Sequence, residues 1–114
     1  MIKKRQDQSL TYEYNVCGKP AFSLYNLKEF QGMNPGVKQF SYVEIEEGEE
    51  VPYHEHHGNC ENYYIISGHG LYNDNGNEIE VCDGAVTFTP SGCGHALKNI
   101  GTEKLCFIAL VIND

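Results

Sequence analysis

The sequence predicts an all-β protein, a sandwich or barrel of short strands folded as a single domain. Three observations carry that expectation. The chain has 114 residues, enough to close about one core and too few for a catalytic domain plus a second folded unit. Short runs rich in Val, Ile, Tyr and Phe recur along it, as half-buried strands require. Glycines separate these runs where the chain must reverse, which leaves almost no room for helix.

Taken in order, residues 1–19 mix charged, amide and turn residues without clear periodicity and are expected to form an N-terminal arm able to pair with a sheet edge. The barrel domain is expected over 20–114. Its strand-like runs are 21–27, 37–46, 51–56, 62–67, 70–74, 78–82, 85–89, 95–100 and 104–112. Gly48, Gly58, Gly68, Gly84, Gly92, Gly94 and Gly101 punctuate them. Within NDNGN (73–77), Asn75-Gly76 supplies the two positive-φ positions of a type I′ hairpin turn. The segment 27–36, LKEFQGMNPG, is read as a loop or single helical turn over an end of the barrel.

Sixteen acidic against eight basic side chains give a formal charge of −8. Such a chain lacks the basic footprint that binding a phosphate backbone needs, so nucleic acid is not expected as a partner. Lys3, Lys4 and Arg5 are read as a solvated chain end. No apolar run approaches the roughly 20 residues that span a bilayer, and no secretory signal opens the sequence, so the expected location is the cytoplasm and no membrane partner is expected. Five cysteines without CxxC spacing argue against a disulfide framework or a thiolate zinc site.

The chemistry concentrates in GEEVPYHEHHGNCENYYIISG (48–68). His54 and His56 lie two apart on a strand-like run, which puts both imidazoles on one face, roughly 7 Å apart along the strand. After a turn through Gly58 and Asn59, an antiparallel return brings the Glu61 carboxylate beside them. Further on, GAVTFTPSGCGHALKN (84–99) places His95 at the start of another strand, as a fourth ligand from across the barrel. Three imidazoles and a carboxylate suit one divalent transition metal (iron, manganese, nickel, cobalt or zinc) and disfavour calcium or magnesium. In an octahedral shell about two positions would stay open for water or substrate.

These segments resemble the two motifs of a small single-domain cupin. Gly48, His54, His56, Glu61 and Gly68 fit G-x5-H-x-H-x4-E-x6-G, and Gly84, Pro90, Gly92, His95 and Asn99 fit G-x5-P-x-G-x2-H-x3-N, without a spacing error. The resemblance implies a double-stranded β-helix, a jelly-roll barrel holding the metal near one open end through His54, His56, Glu61 and His95. It also implies a homodimer. It leaves the reaction open, because the family spans isomerases, dioxygenases, decarboxylases, lyases, sugar-binding regulators and storage proteins. The expected activity is that of a small metalloenzyme acting on a sugar, uronate or oxo-acid, by isomerase, lyase or dioxygenase chemistry. The alternative is a non-catalytic module that binds or senses a small ligand.

Around the ligands, Tyr63 and Ile65 share the inward face of Glu61, and Tyr64 points outward. Tyr63 is the candidate catalytic residue, a hydroxyl near the metal, with simple core packing as the other reading. His57 is read as a loop or supporting residue rather than a ligand, and His69 as a rim residue. Cys60 and Cys93 are read as small side chains in tight turns, with reactive thiols as the alternative. Leu97 is expected to be an apolar wall. The acidic run EIEEGEE (44–50) is read as a solvated strand end and turn.

Overall fold

Period-2 alternation along the chain sorts its residues into two sheet faces, and the structure shows how those faces close on each other. The computed structural model describes residues 2–16, 19–27 and 34–114. The segment expected to cover a barrel end therefore lies mostly outside the described residues, as does Cys17. The described residues form β1 (Ser9–Val16), β2 (Lys19–Asn26), β3 (Val37–Ile45), β4 (Glu50–Glu55), β5 (Asn59–Ser67), β6 (Gly70–Asp74), β7 (Asn77–Val81), β8 (Val86–Thr89), β9 (Gly94–Asn99) and β10 (Leu105–Asn113). One 3-10 turn at Arg5–Asp7 precedes them, and the described residues contain no α-helix.

All pairings are antiparallel, in a six-stranded sheet of order β1-β2-β3-β10-β5-β8 and a four-stranded sheet of order β4-β9-β6-β7. This is the jelly-roll barrel expected from the motifs. Within the segment expected to be an arm, β1 pairs with β2 at the edge of the larger sheet. The core lies between the sheets. Val43, Ile45, Tyr63, Ile65, Leu105 and Phe107 enter it from the larger sheet, and Val51, Tyr72 and Leu97 from the smaller. On β5 the alternation is complete: Glu61, Tyr63 and Ile65 are buried while Tyr64 and Ile66 are exposed.

The turns follow their chemistry. Between β6 and β7, Asn75 (φ 49°) and Gly76 (φ 104°) both take the left-handed region, which closes a two-residue hairpin with the strand twist. At Gly68 (φ 110°) a Cβ would come within 2.8 Å of the Leu105 Cα and 2.9 Å of the Lys104 carbonyl oxygen, so the backbones meet there with no room for a side chain. Asn99, the last position of the second motif, is wholly buried. Its Nδ2 donates to the Ile45 and Glu103 carbonyl oxygens at 3.0 and 2.8 Å, and its Oδ1 accepts from the Gly101 N–H at 2.9 Å. That side chain thereby ties the β9–β10 connection to β3.

Candidate metal centre

A break in strand register aims the first two histidines. Opposite β9, Val51 pairs with Leu97 and His54 with His95, three residues on β4 against two on its partner. The extra residue is a β-bulge at Pro52-Tyr53, where proline's missing N–H costs no ladder bond. Without the bulge, a strand with Val51 inside would turn His54 outside. With it, Val51, His54 and His56 all face the barrel.

β5 supplies Glu61 and β9 supplies His95, and the four side chains expected as ligands converge. One ligand atom from each lies within 4.8 Å of all the others. The His95 Nε2 is 3.1 Å from both His54 Nε2 and His56 Nε2. The Glu61 Oε1 lies 2.9, 3.0 and 3.9 Å from the Nε2 atoms of His95, His56 and His54. The cluster sits at one end of the barrel, beside a cavity of about 430 Å³ lined by His54, His56, Glu61 and Tyr63 among others. His95 is wholly buried behind it, and His54 is the ligand nearest solvent.

Each ring is held by its other nitrogen. His54 Nδ1–H donates to the Pro52 carbonyl oxygen at 2.8 Å, and His56 Nδ1–H to the Asn59 Oδ1 at 2.7 Å. Those acceptors place the proton on Nδ1 and leave a lone pair on Nε2. His95 Nδ1 faces the hydroxyls of Tyr72 and Thr89, each at 2.9 Å. Tyr63 stacks on the same ring with centroids 4.8 Å apart, fixing its plane.

Lone pairs from several nitrogens and a carboxylate aimed at one point repel one another unless a cation lies among them. Glu61 Oε1 is buried without a hydrogen-bond donor in line, alone in this among the described side chains. Three imidazole Nε2 atoms lie within 3.9 Å of it. The residues present thus fit a divalent metal by number, by donor type and by the orphaned oxygen.

The charges agree with that chemistry. Burial raises the Glu61 pKa, but the close imidazoles of His54, His95 and His56 outweigh it and hold the carboxyl at about 2. Burial pushes His95 below the ordinary imidazole value. The nearby Glu61 carboxylate raises His54 despite its partial burial. Burial first, then the Glu61 charge, drive the Tyr63 hydroxyl well above its ordinary value, so Tyr63 keeps its proton.

The bystanders separate cleanly. His57 is exposed and faces Glu55 at 3.0 Å, and His69 is exposed and faces Glu80 at 3.2 Å. Neither belongs to the cluster. Cys60 and Cys93 are free and partly buried, and Leu97 is a fully buried wall. Sequence reasoning missed Tyr72, Thr89 and Asn59, which orient the imidazoles. Of these, Asn59 alone carried a local signal, as an acceptor three residues past a ligand.

A jelly-roll barrel with three imidazoles and one carboxylate beside an internal cavity defines a protein of the double-stranded β-helix class with a candidate metal pocket. The chain belongs to the cupin domain family, whose model matches residues 41–112. It is 34% identical over 95 residues to an oxalate-binding protein of Thermotoga maritima, covering 83% of this chain and 78% of that one. Its fold superposes with a TM-score of 0.89 on a predicted oxalate decarboxylase of Thermotoga maritima, at 28% identity over all of both chains. The Cnp3 cupin domain of Schizosaccharomyces pombe shares the fold at a TM-score of 0.74 and 21% identity, over 84% of this chain and 67% of that one. None of the described helices is long and apolar enough to cross a membrane.

Proposed function

We propose that this cupin holds one divalent transition metal through His54, His56, Glu61 and His95, and acts on a small oxo-acid bound in the adjoining cavity, with oxalate the first candidate. The observation that carries it is the convergence of three Nε2 atoms on the donorless Glu61 Oε1 beside a cavity of about 430 Å³. The likeness to an oxalate-binding protein supports the ligand class. When bound, the ion supplies Lewis acidity and coordination positions for a chelating carboxylate. Glu61 contributes the negative charge of the ligand set. Tyr63, kept neutral and lining the cavity, is the group with a proton to lend. The cavity's apolar residues, Phe107, Ala109 and Val111 among them, limit the water that reaches a bound ligand.

Metal analysis of the purified protein, oxalate titration and a turnover assay run with and without oxygen test this reading. About one ion per chain, with oxalate binding and product formation that both disappear in His56→Ala, is the expected result. Protein that folds, takes up no transition metal and binds no carboxylate overturns it. The name of the Thermotoga relative favours a second reading, a binding module without turnover. Tight oxalate binding with no product would establish that one instead.

We further propose a cytoplasmic homodimer. The described cysteines Cys60, Cys82, Cys93 and Cys106 are free thiols. On the outer face of β5 and the edge strand β8, Tyr64, Ile66, Val86 and Phe88 are exposed and adjacent. That stripe carries no charged side chain, so two copies of an acidic chain can meet on it without opposing carboxylates. Light scattering should give twice the chain mass, and Phe88→Lys should shift it towards the monomer.

A further inference from the structure

Lys38 stands where strand alternation says it should not. On β3, Ser41, Val43 and Ile45 face the interior, and Gln39 continues that face, so Lys38 belongs outside with Phe40 and Tyr42. Both Lys38 and Gln39 nevertheless line the metal cavity. The cause is a second bulge. Opposite β10, Gln39 pairs with Val111 and Val37 with Ile112, leaving Lys38 without a partner residue. A bulge frees a side chain from the pleat and re-aims it.

The ammonium is also unspent. Arg5 lies 3.6 Å from Glu44, and Lys104 lies 3.8 and 3.7 Å from Glu44 and Glu46. Among the described residues no carboxylate pairs with Lys38. An exposed lysine is ordinarily a solvated charge of little consequence. This one sits at a bulge on the lining of a cavity whose other lining charge, the imidazoles apart, is Glu61.

The chain as a whole carries a formal charge of −8 and would repel an anion unless a local field draws it in. With three neutral imidazoles, Glu61 cancels half the charge of a divalent ion, and Lys38 restores it. We propose that Lys38 is a specificity-determining residue that makes this cavity select a small dianion, a dicarboxylate, over monoanionic ligands of the same size and chelating power. The inference rests on the metal-binding reading of the site.

Calorimetry on metal-loaded protein tests it with two probes, oxalate as the dianion and glycolate as a chelating monoanion, in wild type, Lys38→Met, Lys38→Arg and Lys98→Met. Lys98 is exposed on β9 and outside the cavity lining. Lys38→Met should weaken oxalate about tenfold and glycolate less than about threefold, as loss of one charge-assisted contact predicts. Lys38→Arg should recover most of the oxalate affinity, Lys98→Met should change nothing, and the oxalate effect should grow as salt is lowered. Unchanged oxalate affinity in Lys38→Met, or equal losses for both anions, overturns the role of Lys38 while leaving the metal site standing. Wild-type protein that holds metal and binds neither anion overturns the oxo-acid reading and this inference together.

Discussion

Strands β5, β9 and β10 each span the barrel between a closed end and an open one, and the side chains they turn inward change character from one end to the other. β5 offers Ile65 at the closed end and Glu61 at the open one, β9 offers Leu97 and then His95, and β10 offers Leu105 and then Val111. At the closed end Ile65, Leu97 and Leu105 have no solvent exposure, and the Gly68 backbone lies against that of Leu105. At the open end the same ladders enclose a cavity of about 430 Å³. One end therefore carries apolar burial and the other carries buried polar groups placed where they could hold an ion. Continuous strands let the first hold the second in place.

The largest effect that tests this division falls at the closed end. Leu105→Ala removes a fully buried side chain from a region with no slack and should cost about 2–5 kcal/mol, measured by chemical denaturation. Its folded fraction should still bind metal at wild-type stoichiometry. Equal loss of metal binding would mean that the two ends are not separable.

The next effect comes from the ion. A metal that binds only the folded barrel stabilises it by about 2.7 kcal/mol at a hundredfold excess over its dissociation constant, or about 10 °C in melting temperature for a domain of this size. Chelation should remove that increment. In Glu61→Gln the increment should mostly vanish, because an amide oxygen brings no charge to the set. A melting temperature indifferent to metal in the wild type would sharpen the comparison the other way, by assigning all stability to the closed end.

Much of this arrangement was legible in the chain because it is written in local spacing. The two-residue step from His54 to His56, the return to Glu61, the Asn75-Gly76 turn and the inward row Glu61, Tyr63, Ile65 each follow from strand period or turn chemistry. The two bulges were not legible. A bulge is a mismatch between partners, and the partners lie far away in sequence: β4 against β9 for the histidines, β3 against β10 for Lys38. For the same reason Tyr72 and Thr89 read only as strand residues, although together they orient His95. Their role exists only once β6, β8 and β9 are folded against one another.

The smallest effect probes that pair. His95 is the ligand farthest from solvent, and its Nδ1 meets two hydroxyls at equal distance, which also bond each other at 2.8 Å. A hydroxyl can accept from Nδ1–H while donating onward, so either one alone can hold the ring with its Nε2 lone pair towards the cluster. Tyr72→Phe should therefore lower metal affinity only about threefold, with Thr89 still accepting. Tyr72→Phe combined with Thr89→Val leaves Nδ1–H buried without an acceptor. The ring then gains by placing its proton on Nε2 beside Glu61, where it competes with the ion, and affinity should fall about 30-fold, within the range seen when a ligand's supporting partner is lost. Competition titration against a chelator separates the cases. A double variant no weaker than Tyr72→Phe alone would show that the hydroxyls do not set the His95 tautomer; a loss well beyond the product of the single effects would show that each covers for the other.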